Sequence, residues 1–139
     1  MKVRPNYFSG VKLEPLTPEE EKLKEMIIFE LENYNATLLE IENNKLILQR
    51  PGLSEEQYKN TSDEILKKSL KLQYLDNLLA PLSDFHKQIL FLKYINNLKW
   101  AEVKEYLGIG GVNAQSASNI GYKIIKYLTY RANPIMFIE

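Results

Sequence analysis

Apolar residues recur along this chain at helical periods and almost nowhere with the alternation of a strand. Ile27, Leu31, Tyr34, Leu38 and Ile41 are spaced 4, 3, 4 and 3 apart, with Leu48 in phase. That heptad predicts one long amphipathic N-terminal helix. Its start is marked by Thr17 as cap, Pro18 at the first helical position and Glu20 closing a capping box. Glu19, Glu20 and Glu21 suit the positive end of the helix dipole. Arg50-Pro51-Gly52 breaks the helix, and Ser54 with Gln57 predicts a short helical turn. Thr61 with Glu64 then announces a second helix over about 62–80, carrying Ile65, Leu66, Leu70, Leu75, Leu78 and Leu79 and stopped by Pro81.

Three shorter helices follow. Ser83 caps the first, over 84 to about 95, and Asn96-Asn97 makes a turn. The second covers 100–107, stopped by Gly108, and a loop with Gly110-Gly111 comes next. Asn113 caps the third, which reaches about Tyr130, with Pro134 beyond it. Only the tail, 135–138, shows a short period of two. The expected fold class is therefore all-α: a long amphipathic helix, then a C-terminal helical bundle. The expected divisions are an irregular arm at 1–16, a helical accessory or oligomerisation region at 17–80, a compact module at 82–130 and a tail at 131–139. The seam Ile27, Leu31, Tyr34, Leu38, Ile41 has two readings. It is either a coiled coil between chains, making a homo-oligomer, or an apolar face packed on its own chain.

Composition narrows the chemistry. With 45% hydrophobic and 26% charged residues, the chain of 139 has the make-up of a folded protein. It lacks cysteine, which removes disulfides, thiolate zinc sites and cysteine nucleophiles, and fits a reducing cytoplasm. His86 is the only histidine, is expected at the surface or near a cap, and has no obvious nucleophile beside it. The carboxylates of 19–25 and 30–42 read as a solvated helix face. Gly108, Gly110 and Gly111 follow no strand, so they are not a dinucleotide loop. No enzyme activity, cofactor or metal is expected. No stretch is long and apolar enough to span a membrane, and 1–16 lacks the pattern of a secretion signal.

The net charge is zero, but it is unevenly spread. Residues 1–82 hold 11 Lys+Arg against 14 Asp+Glu, net −3, and residues 83–139 hold 7 against 4, net +3. A basic C-terminal end favours nucleic acid. There the order is helix, tight turn, short helix, glycine turn, longer helix, which is that of a helix-turn-helix with one supporting helix in front. Ile89, Leu90, Leu92, Leu98, Val103, Leu107, Ala117, Ile120, Ile124 and Leu128 supply its expected core. Trp100 is expected to be structural, and the small Ala117 and Gly121 to allow close helix crossing. On the opposite face of the last helix, Gln115, Asn119, Tyr122 and Lys126 fall within about 60° of one another, flanked by Ser118 and Lys123. Amides can read adenine, lysines reach guanine or phosphate, and hydroxyls bind phosphate. Asn113 and Ser116 stand at the helix start, where backbone N–H groups suit phosphate. The expected DNA-binding set is Asn113, Gln115, Ser116, Ser118, Asn119, Tyr122, Lys123 and Lys126. The lysines of the second helix, Lys67, Lys68 and Lys71, are weighed as either a solvated face or a phosphate contact.

The segment Ile89-Leu90-Phe91-Leu92-Lys93-Tyr94, the turn, and then Leu98 through Ile109 (LKWAEVKEYLGI) resemble region 4 of bacterial sigma factors and related phage regulators. Ile120, Ile124, Lys126, Tyr127 and Leu128 are similar to the Leu/basic pattern that ends that module. The chain departs from it in a longer Gly110-Gly111 turn and a less basic last helix. A helical region before a sigma-like module resembles the phage late-gene regulators of the ArpU and RinA type. The resemblance implies a transcription regulator in the cytoplasm of a bacterial host, with double-stranded DNA and RNA polymerase as partners. The alternatives are a small-terminase-like DNA-packaging protein and a polymerase-binding interaction module.

Overall fold

The computed structural model describes residues 15–107 and 114–137, with the side chains of 114–116 outside the description. Among the described residues every regular element is helical. They are α1 (Pro18–Glu32), α2 (Tyr34–Leu48), α3 (Glu55–Leu79), α4 (Asp84–Leu90) continued by a wide π turn at Phe91–Ile95, α5 (Trp100–Leu107), α6 (Ala114–Arg131) and a 3-10 turn at Pro134–Phe137.

The local chemistry explains most of the boundaries. Thr17 Oγ1 accepts the Glu20 N–H at 3.1 Å while Glu20 Oε1 accepts the Thr17 N–H at 2.9 Å, so α1 opens with a complete capping box. Ser54 and Gln57 make the same reciprocal pair, at 3.1 and 2.9 Å. That box starts α3, so the second helix begins seven residues earlier than the 62–80 expected, and Thr61 and Glu64 lie inside it. Gly52, at φ +86°, supplies the left-handed turn of the α2–α3 connection, which most side chains disfavour. Ser83 caps α4 through the His86 N–H at 3.2 Å.

The expected single N-terminal helix is two helices. At Asn33 the backbone leaves helical geometry (φ −101°, ψ 10°), and the side-chain Nδ2 donates to the Phe29 carbonyl at 2.8 Å. The Phe29 carbonyl also accepts the Asn33 backbone N–H at 3.0 Å, so it serves two donors where α1 ends. Beyond that break α1 packs on α6, whereas α2 runs back along α3 as an antiparallel hairpin. The heptad seam is divided accordingly. Ile27 and Leu31 are fully buried and Ile41 nearly so, all inside this chain's own core. Tyr34 is half-buried and Leu38 is exposed. Ile27, Leu31 and Ile41 thus pack within their own chain, the second of the two readings of the seam.

One core joins α1, α3, α4 and α6 through Ile27, Leu31, Leu75, Ile89, Ile124 and Leu128. Each such side chain contributes roughly 1.5–3 kcal/mol of apolar transfer free energy. A smaller cluster, Leu92, Val103 and Ala117, seats α5 on the rest. Trp100 packs against both clusters. His86 stands near the Ser83 cap as expected but is 2% exposed, a correction to the surface position, because it shares the inward face of α4 with Ile89 and Leu90, three and four residues on. Polar cross-links tie α3 to the N-terminal helices. Lys71 Nζ meets Glu30 Oε2 at 3.2 Å, with both side chains largely buried, and Lys68 Nζ meets Glu40 at 3.4 Å. Tyr34 donates its hydroxyl proton to Asp76 at 2.8 Å. Burial, reinforced by that carboxylate, pushes the Tyr34 phenol up to about 12.

No described helix is long and apolar enough to cross a membrane. The tail's 134–137 form a 3-10 turn in place of the expected extended pattern, and Phe137 sits edge-on to Tyr74 at 5.5 Å between ring centres.

Candidate nucleic-acid interface

Three helices define the candidate interface: α4 with its π turn, the short α5, and α6. The π turn arises where the Asn96 N–H reaches back to the Phe91 carbonyl, 2.9 Å away. Asn97 then takes a left-handed conformation, φ 58°, which asparagine tolerates better than most residues. The Leu98 N–H returns to the Leu92 carbonyl at 3.1 Å and closes the turn into α5. At the start of α5 the Lys99 N–H donates to Glu102 Oε1 at 2.8 Å.

The crossing of α5 on α6 is set by one aromatic ring and one glycine. Gly121 is buried, and a Cβ built on it would overlap the outer edge of the Trp100 indole. The ring is braced on its other sides. Lys93 Nζ lies 5.2 Å from its centre, a cation–π distance, and Tyr122 meets it edge-on at 6.0 Å and 76°. The expectations of a structural Trp100 and of a small Gly121 at a helix crossing meet in this contact, whereas the place of Lys93 has no local signal in the sequence. Both depend on the π turn and the helix crossing.

The placement of the expected site residues is uneven. On α6 the exposed arc holds Asn119, Tyr122 (58% exposed) and Lys123. The inward arc holds Ala117, Gly121, Ile124, Ile125, Leu128 and Thr129. Ser118 belongs to the inward arc, 8% exposed, so it does not flank the outer stripe. Lys126 is half-buried beside α1, where Leu16, Glu21, Lys24 and Ile28 face Tyr122, Ile125 and Lys126 across a groove of about 370 Å³. Asn113 and the side chains of Gln115 and Ser116 lie outside the described residues. Tyr94, expected at a core edge, is buried behind this face, and burial pushes its phenol up to about 12.

Cationic groups near the interface are few. Lys99, Lys104 and Lys123 are exposed, and Glu102 and Glu105 are exposed on α5 among them. The lysines of α3 stand apart from this face. Lys68 is paired with Glu64 and Glu40, and Lys71 with Glu30, which leaves them structural work on their own chain. Among the described residues no group of three or more His, Asp or Glu is arranged to hold a metal.

No known family profile, curated protein or solved structure matches this chain.

Proposed function

We propose that this chain is a sequence-specific DNA-binding transcription regulator, of the kind that controls phage or prophage late genes, and that α6 is its reading helix. The observation that carries the reading is the split of α6 into two arcs. The inward arc is spent on the core, while Asn119, Tyr122 and Lys123 stand outward on the helix that the turn and α5 present. Such a helix fits the major groove by its N-terminal half. There an amide reads base edges, a tyrosine ring offers an apolar contact to a thymine methyl, and a lysine neutralises phosphate.

Helix α1 limits the approach. It flanks the C-terminal half of α6 and brings Glu21 to the groove beside Lys126. DNA therefore engages the half of α6 nearer Ala114. With roughly two or three exposed lysines available, affinity depends weakly on salt, with a log–log slope of about −2 to −3.

Selection of duplex DNA from random sequence, followed by footprinting, tests the reading. A single protected motif is the expected result. Absence of binding to any duplex, with the protein folded, overturns it. Retention of RNA polymerase by a protein that binds no duplex would place the function in protein contact instead.

A further inference from the structure

A cleft of about 490 Å³ opens where the α2–α3 hairpin meets α4 and its π turn, a volume within the range of small-molecule sites. Leu79 at the end of α3, Ile95 in the π turn and the ring of Tyr34 give it apolar walls. Phe91 adds a second ring at the same place, 50% exposed and so half in water. Four polar side chains share the lining: Asp76, Asp84, Lys87 and Gln88.

Asp84, Lys87, Gln88 and Phe91 form one stripe, at i, i+3, i+4 and i+7 along α4 and into the π turn. Lys68 and Lys71 on α3 are paired with Glu40 and Glu30. By contrast, among the described residues neither Asp84 nor Lys87 has an opposite charge within 4.0 Å. Asp76 accepts the Tyr34 hydroxyl on Oδ1, which leaves Oδ2 as an acceptor on the same cleft. Carboxylate, ammonium and amide thus stand together beside an apolar wall. Groups three residues apart on a helix have Cβ atoms about 5–6 Å apart. An ammonium and a carboxylate borne on one carbon fit between such a pair, each facing its opposite. A simple amine would set its charge against Lys87, and a simple carboxylate against Asp76 and Asp84. An uncharged apolar molecule would cover these charges and leave them unmatched.

We propose that this cleft binds a small zwitterion with an apolar body, of the class of the aromatic α-amino acids. The ligand's ammonium donates to Asp84 and Asp76, and its carboxylate accepts from Lys87 and the Gln88 amide. Its ring lies on Phe91 and the apolar wall of Leu79 and Ile95. Charge-assisted hydrogen bonds at both heads fix the orientation, and ring contacts in offset or edge-on geometry favour an aromatic body over an aliphatic one. The cleft is open to water and the ligand has only about 12 heavy atoms, so a Kd of about 0.1–1 mM is expected.

The test titrates full-length protein with L-phenylalanine up to about 10 mM and follows the backbone amide shifts by NMR. Saturable shifts centred on Asp76, Asp84, Gln88 and Phe91 are expected. Phenethylamine lacks the carboxylate and 3-phenylpropionate lacks the ammonium, and each should bind about tenfold more weakly or worse. Asp84→Asn and Lys87→Met should each weaken L-phenylalanine by about tenfold, and Phe91→Ala should weaken it as well, with unchanged helix content by circular dichroism. The absence of saturable shifts at the highest concentration overturns the proposal, as do shifts centred away from the cleft. Binding of either one-headed analogue as tightly as the amino acid overturns the zwitterion. Folded Asp84→Asn and Lys87→Met variants that both bind like wild type do the same. Should a substitution unfold α4, the wild-type shift map and the analogue series decide the question without it.

Discussion

Gly121→Ala sets two physical effects against each other. In the middle of a helix, alanine in place of glycine stabilises by about 1 kcal/mol through backbone entropy. At this position, however, the new methyl would overlap the Trp100 indole, which is held between Lys93 and Tyr122. Either the ring swings out, giving up its seat on both core clusters, or α5 and α6 move apart. Overpacking of this kind costs about 1–3 kcal/mol, and more where a rigid ring is the obstacle. The net expectation is a loss of about 1–2 kcal/mol, a fall of roughly 3–6 °C in Tm for a chain of this size. Trp100→Ala should itself cost about 2–3 kcal/mol, less than a fully buried tryptophan, because the ring is only partly covered. The double variant separates the effects. Once the ring is gone, Gly121→Ala should turn stabilising by about 1 kcal/mol, as propensity alone dictates. Urea unfolding followed by far-ultraviolet circular dichroism reads all four corners of the cycle. Trp100 is the only tryptophan, so its emission in Gly121→Ala should also shift to the red. If Gly121→Ala stabilises the wild-type background by about 1 kcal/mol, the ring does not sit where the packing argument needs it.

The buried ion pair gives a second cycle: Glu30→Gln should cost about 3 kcal/mol in urea unfolding by removing the carboxylate charge that faces the Lys71 ammonium, whereas Glu30→Leu with Lys71→Met should come within about 1 kcal/mol of wild type. Tyr34 and Tyr94 have folded phenol pKa values raised to about 12 from an ordinary 10, so their contribution to stability is complete below pH 10 and is lost as pH rises from 10 through 12. Ultraviolet titration should show a late component near pH 12 that shrinks in Tyr34→Phe and again in Tyr94→Phe; unchanged titration curves in both variants would refute the assignment. On a selected site, Asn119→Ala should lose about 1–3 kcal/mol and much less on random duplex, while Lys123→Ala should weaken both alike and flatten the salt slope by about one unit, read by fluorescence anisotropy. If both variants bind like wild type while folded, α6 is not the reading helix.

What the sequence determined by itself is short-range. The capping box at Thr17 and Glu20, the Ser83 cap, the helix break at Arg50-Pro51-Gly52 and the Asn96-Asn97 turn each act within four residues, so each is legible in the chain and each stands in the structure. The last three helices were legible for the same reason, as was the inward set Ala117, Ile124 and Leu128, which repeats with a helical period. Tertiary structure decided which apolar seam faces where. The heptad through Ile27 and Leu31 has the spacing of a seam between chains, but spacing does not name a partner. The break at Asn33 divides that seam between α1, which packs on the core with α6, and α2, which lies along α3. It also decided the fate of residues at the boundary of an arc. On α6, Ser118 turns inward and Lys126 is flanked by α1, because neighbouring helices cover a wider angle than the apolar residues mark out. In the brace of Lys93, Trp100, Gly121 and Tyr122 the sequence marked a structural Trp100 and a small Gly121 for a close crossing, but their pairing with each other and with Lys93 and Tyr122 joins residues up to 29 positions apart and was decided by the helix crossing.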